Sequence, residues 1–165
     1  MKTRIITLAL LSAVWGPSLP AAEVTISGRI TAMPCTVDAS VNQTLDLGKV
    51  QRRDLQQAGT GSPWKPFSLT LSSCPPSTST ATVTFTGTPD SADSNAFISS
   101  GTATGVALQL SKADGSLILA NNASLSVTID SARKAFPLAA RIYSPKGLSG
   151  SGTFSSVVQV NLSYQ

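Results

Sequence analysis

Gly152-Thr-Phe-Ser-Ser-Val-Val-Gln-Val-Asn-Leu-Ser-Tyr-Gln165 is the stretch on which the reading of the fold turns. Phe154, Val158, Val160, Leu162 and Tyr164 fall on one side of a period-two pattern, and Ser155, Gln159, Asn161 and Ser163 on the other. Successive side chains of an extended chain point to opposite faces, so this stretch buries one face and wets the other. Read as a helix, the same residues would be scattered around the whole circumference.

The pattern recurs upstream. Phe67, Leu69 and Leu71 alternate with Ser68, Thr70 and Ser72, and Val83 and Phe85 with Thr82, Thr84 and Thr86. Val106, Leu108 and Leu110 repeat it, as do Leu125, Val127 and Ile129, and then Phe136, Leu138, Ala140 and Ile142. Turn residues separate these runs: Cys-Pro-Pro at 74–76, Gly-Thr-Pro-Asp at 87–90, Ala-Asp-Gly-Ser at 113–116 and Ser-Pro-Lys-Gly at 144–147. Asp114-Gly115 between Leu110 and Leu117 predicts a hairpin. Only Val50 to Gln57 carries a helical hint, ending before Gly59. The expected fold is all-β, an immunoglobulin-like sandwich, with a closed barrel as the other architecture such strands can form.

Composition agrees. Charged residues are 12% of the 165 and apolar residues 41%, which excludes a disordered chain. No His is present, which removes Ser-His and Cys-His catalytic pairs and the commonest metal ligand. The Asp residues sit in turns or at strand ends, where Asp is common for local reasons. No Gly-x-Ser-x-Gly elbow stands between a strand and a helix. The sequence therefore predicts no enzyme, no cofactor and no bound metal.

Residues 1–21 read as a secretory signal peptide, with the boundary good to one residue. Lys2 and Arg4 form its positive start, Ile5 to Val14 its apolar stretch, and Pro17-Ser-Leu-Pro-Ala-Ala22 the small-residue end. The apolar stretch falls short of the ~20 residues needed to span a bilayer. Without the signal, ten Lys and Arg remain against eight Asp and Glu. They are scattered, with Arg52-Arg53 and Arg133-Lys134 the only adjacent pairs. That distribution gives no nucleic-acid surface. Cys35 and Cys74, the only cysteines, are expected to pair in a secreted chain. Closing a loop of that length stabilises by about 3–4 kcal/mol in the chain-entropy account. Two free thiols and a two-sulfur metal site are the alternatives, the second poor without His.

One alternating segment stands apart. Val24, Ile26, Gly28, Ile30 and Ala32 share one face, Thr25, Ser27, Arg29 and Thr31 the other, and Met33-Pro34 breaks the run before Cys35. It reads either as the first strand of the sandwich or as something held elsewhere. It begins at the processed terminus, where chains are poorly held, and Gly at its centre often marks the close approach of another backbone.

The two ends together carry a resemblance. Tyr164 next to the last residue, Gly152 twelve positions before it, and the apolar alternation between them resemble the C-terminal signature of chaperone–usher pilins. Pro-Cys-Thr-Val at 34–37 with the second Cys at 74, and the N-terminal alternation about Gly28, resemble the same family. Glu23-Val-Thr-Ile26, Lys49 to Trp64 and Cys74-Pro75 look most like a minor, adaptor-type subunit of type 1 pili. The resemblance implies a sandwich lacking its final strand, completed by a neighbour's N-terminal donor strand. On this reading residues 22–34 are the donor-strand extension and 35–165 the pilin domain. Val24, Ile26, Ile30 and Ala32 would fill a neighbour's groove, with Gly28 where no side chain has room. Gly152, Phe154, Val158, Val160, Leu162 and Tyr164 would form this chain's own groove and its chaperone and usher recognition surface. That groove would be flanked by the strand beginning at Cys35 and a final strand over Thr153 to Tyr164. The implied partners are neighbouring pilus subunits, a periplasmic chaperone and an outer-membrane usher. The implied location is a fimbrium on the cell surface, reached through the periplasm. A major rod pilin and a secreted carbohydrate-binding sandwich are the alternative functions.

Overall fold

The computed structural model describes residues 35–38, 43–130 and 133–165. All belong to the compact unit Thr31–Gln165. The expected signal peptide and donor segment, Val24, Ile26, Gly28, Ile30 and Ala32 included, lie outside the described residues.

Among the described residues nine strands run in chain order: β1 Thr36–Val37, β2 Thr60–Gly61, β3 Lys65–Ser72, β4 Thr80–Thr86, β5 Phe97–Ile98, β6 Ala107–Lys112, β7 Ser124–Thr128, β8 Lys134–Ser144 and β9 Gln159–Tyr164. The larger sheet has the order β1-β3-β8-β6-β5, with β2 also paired to β8. The smaller has the order β7-β4-β9. The two sheets and their all-antiparallel pairings make the expected sandwich rather than a closed barrel.

The alternation places the core. Leu69 and Leu71, Ala81, Val83 and Phe85, Leu108 and Leu110, and Phe136, Leu138 and Ala140 form one buried cluster between the sheets. Leu71, Ala81, Val83 and Phe136 are wholly buried. Burying side chains of this size contributes roughly 1.5–3 kcal/mol each. The Cys35–Cys74 disulfide forms as expected, its Cα atoms 4.2 Å apart. It ties the start of β1 to the chain just past β3, its direct neighbour through Thr36↔Ser72 and Val37↔Leu71.

The Asp114-Gly115 turn is present. Gly115 adopts φ +71°, which favours glycine, and its N–H donates to the Lys112 carbonyl. The returning chain pairs as Ser111↔Ile118. The helical hint over Val50–Gln57 shrinks to one 3-10 turn, Arg52–Leu55, with only Leu55 buried. One apolar anchor cannot fix a longer helix, and Gly59 at φ +79° ends the connection. The expected strand from Thr153 is corrected as well: pairing starts only at Gln159. Residues 153–156 bond irregularly to 98–103 instead, through Ala103 N–H to Thr153 O, Ser100 N–H to Ser155 O, and the Ser156 hydroxyl to Ile98 O.

Candidate functional site: the open edge of the smaller sheet

The C-terminal strand β9 lies at the edge of its sheet. It pairs with β4 through Ala81↔Tyr164, Val83↔Leu162 and Phe85↔Val160. Opposed residues of an antiparallel pair project to the same face. Val160, Leu162 and Tyr164 therefore point inward with Ala81, Val83 and Phe85. Those three β4 residues are 0–1% exposed, yet Val160 is 44% exposed and Leu162 and Tyr164 are only half-buried.

Position explains the difference. β4 is flanked by β7 and β9, whereas β9 has no strand on its outer side among the described residues. Its inward row is thus uncovered from the side. Phe154 and Val158, also half-buried, continue the row and pack against the core. Every second residue of an edge strand also turns its N–H and C=O away from its partner, leaving a ladder ready to accept another strand.

The start of β1 lies beside the end of this row. The Tyr164 hydroxyl reaches the Cys35 carbonyl at 3.5 Å, and Val37 packs on the core beside it. Burial raises the Tyr164 phenol pKa. Pairing with β4 continues past Tyr164. Gln165 donates its N–H to Thr80 O, and its own carbonyl accepts from Ser79 and Thr80 N–H. The edge strand is therefore anchored on its inner side to its last residue, and open only outward.

Among the expected groove residues, Phe154, Val158, Val160, Leu162 and Tyr164 come together along this edge. Gly152 does a different task. A Cβ built there would lie 2.4 Å from Ala103 N and 2.5 Å from Thr102 C. Gly101 faces the same crossing, its Cβ position 2.0 Å from Thr153 O. The two glycines let the segments 101–103 and 152–154 cross backbone to backbone. A Gly152→Val subunit has no flexible side chain to push aside. The variant is expected in much reduced soluble yield, with a lower thermal midpoint and an unfolding free energy reduced by about 2–3 kcal/mol, the upper part of the range typical of overpacking. An unchanged midpoint would mean that the crossing relaxes freely. The sequence marks Gly152 through its spacing from Tyr164, but nothing local points to Gly101 as its partner.

A model of the fimbrial protein family matches residues 24–165. The chain belongs to the fimbrial protein family. It is 34% identical to Protein FimG of Escherichia coli K12 over 95% of this chain and 94% of that one. It is 31% identical to the fimbrial subunit type 1 of Klebsiella pneumoniae, with both chains covered in full. Among solved structures, a chaperone–usher pilus subunit superposes with a TM-score of 0.68 at 22% identity, covering 91% of this chain and all of that one. The P pilus rod subunit PapA superposes at 0.67 and 23% identity, covering 81% of this chain and all of that one. These neighbours share the immunoglobulin-like pilin fold. The chain is a fimbrial subunit, a structural component of a cell-surface pilus.

Proposed function

We propose that this fimbrial subunit assembles by donor-strand exchange and serves as an adaptor in an adhesive pilus. Residues 1–21 direct export to the periplasm, where a chaperone lends a strand to the groove beside β9. At an outer-membrane usher, a neighbour's N-terminal segment takes its place. Residues 22–34 of this chain do the same for the next subunit, with Val24, Ile26, Ile30 and Ala32 in its groove and Gly28 at its narrowest point. The mechanism is strand addition to a sheet edge, in which backbone bonds give direction and register, and pockets give specificity.

The observation that carries this reading is the half-exposed inward row of β9 opposite a fully buried row of β4. Three large aliphatic side chains delivered by a donor would contribute roughly 5–9 kcal/mol before ordering costs. The eleven residues 22–32 extend to about 36 Å, enough to run the length of a small sandwich. The similarity to Protein FimG, together with the matching stretches at 23–26 and 49–64, supports an adaptor role over a major rod subunit.

A synthetic peptide of residues 22–33 tests the donor role. Added to a chaperone-bound neighbouring subunit, it is expected to displace the chaperone and raise the subunit's thermal midpoint. A ligand at a hundred times its Kd stabilises by about 2.7 kcal/mol. No displacement and no shift with any flanking subunit would make residues 24–32 an ordinary first strand.

A further inference from the structure

Leu148 is 80% exposed, the most of any large apolar side chain among the described residues. Its backbone sits at φ +55°, directly after Gly147 at φ +74°. Two successive left-handed residues suit Gly, Asn or Asp, and a bulky side chain is strained there. Such a conformation persists only where the surroundings over-determine it. They do so here. Leu148 N–H donates to the Gln56 carbonyl at 3.0 Å. The hydroxyl of Ser149, wholly buried, lies within hydrogen-bond reach of the Leu55 and Gly105 carbonyls and the Ser144 hydroxyl. The Ser149 carbonyl accepts from Arg52 Nε and Gln56 Nε2. The turn is thus fixed at its base, with an apolar side chain held out at its tip. Asn at 148 would serve the fold better, so folding does not account for the leucine.

Its place in the sandwich suggests what it meets. β8 begins opposite Leu71, near the disulfide, and ends at Ser144, four residues before Leu148. Gly150 N–H then donates to Thr104 O, and the chain enters the crossing of 101–103 with 152–154. There Phe154 starts the uncovered row, packed with Ala103, Leu55 and Ile142. The row ends at Tyr164, beside Cys35. Leu148 therefore stands at the Phe154 end, and residues 22–34 join the domain at the other. A donor strand parallel to β9 would finish beside Tyr164, where this chain's own extension joins. An antiparallel one, the more stable pairing, finishes at Phe154. In this chain two residues separate Ala32 from Cys35, about 10 Å of extended chain. A donor of the same build sets the disulfide end of its body against Leu148. That end is apolar here: Pro75 and the exposed Pro76 follow Cys74, whose Cα is 4.2 Å from that of Cys35.

Resting on the donor-strand reading above, we propose that Leu148 is a second contact with the subunit that donates its strand to this groove. It docks on the turn beside that subunit's disulfide and sets the angle between the two bodies. The donor strand alone ends in a short linker, about which the bodies could swing; an apolar knob on a rigid turn removes that freedom.

Photo-crosslinking in purified pili tests the contact, with a photoreactive residue replacing Leu148 in one preparation and Val160 in another. Position 160 is expected to capture a neighbour's N-terminal segment, and position 148 the turn after the second cysteine of that same subunit. Capture from 160 without capture of that subunit from 148 leaves strand donation standing and overturns the docking contact. Capture of a neighbour from neither position overturns both. Leu148→Asn, which relieves the backbone, is the second variant. The thermal midpoint of the subunit should not fall, while the spread of angles between it and its donor in electron micrographs of the pili should widen at least twofold. A lowered midpoint with an unchanged spread would make Leu148 a residue of its own fold and overturn the proposal.

Discussion

A subunit carrying Gly28→Val is expected to reach wild-type yield as a soluble chaperone complex and to be absent from assembled pili. Gly28 stands at the centre of the alternating face Val24, Ile26, Ile30 and Ala32. If that face enters a neighbour's groove, a branched side chain at its middle meets a wall rather than a pocket. Overpacking alone costs typically about 1–3 kcal/mol. A one-residue slip to avoid it would turn the whole apolar set outward, so the strand cannot escape by changing register. On the donor-strand reading the subunit's own sandwich is spared, because the segment would leave it. Had the segment been the first strand of its own domain, valine would be neutral or mildly favourable there, since glycine is a poor strand residue. Quantifying the soluble complex and the pilus-incorporated subunit in the same cells separates the two. Normal incorporation contradicts donation, and equal loss in both fractions indicates a folding defect.

Val160→Asp is expected to abolish both fractions. By exposure alone this is a surface position, at 44%, where substitutions usually change stability by less than 0.5 kcal/mol. Its register says otherwise. Val160 faces inward opposite Phe85, which is 1% exposed. Any strand laid along β9 would cover the carboxylate without supplying a partner, at a cost of several kcal/mol. On the proposed mechanism chaperone and neighbour use the same edge, so both associations should fail. Asn161→Asp, one residue along and pointing to solvent, is the control and should assemble normally. A Val160→Asp subunit found in pili at wild-type level would show that the row is ordinary surface.

Much of this was legible in the sequence, and the reasons differ by element. The alternation at 67–71, 82–86 and 136–142 specified strands and inward faces because a period of two admits only one burial pattern per strand. Asp114-Gly115 specified its turn because few residues other than glycine tolerate φ +71°. The two-residue strands β2 and β5 carry no periodicity and arise only from what β8 and β6 offer them. The segment 153–158 alternates like a strand but forms none. Its partner is the irregular 98–103 stretch, a contact fixed by two glycines 51 residues apart in sequence, at 101 and 152. The groove residues were readable from the pattern as a face, but as an uncovered one only through the family resemblance. That depended on β9 being an edge, which is a property of strand order.

Photo-crosslinking from position 160 in intact pili tests the central claim most directly. With a photoreactive residue replacing Val160, mass spectrometry of the crosslinked peptides is predicted to find the N-terminal segment of a neighbouring subunit. Adducts confined to this chain's own residues 22–34 would mean that the sandwich completes itself, and would contradict the account.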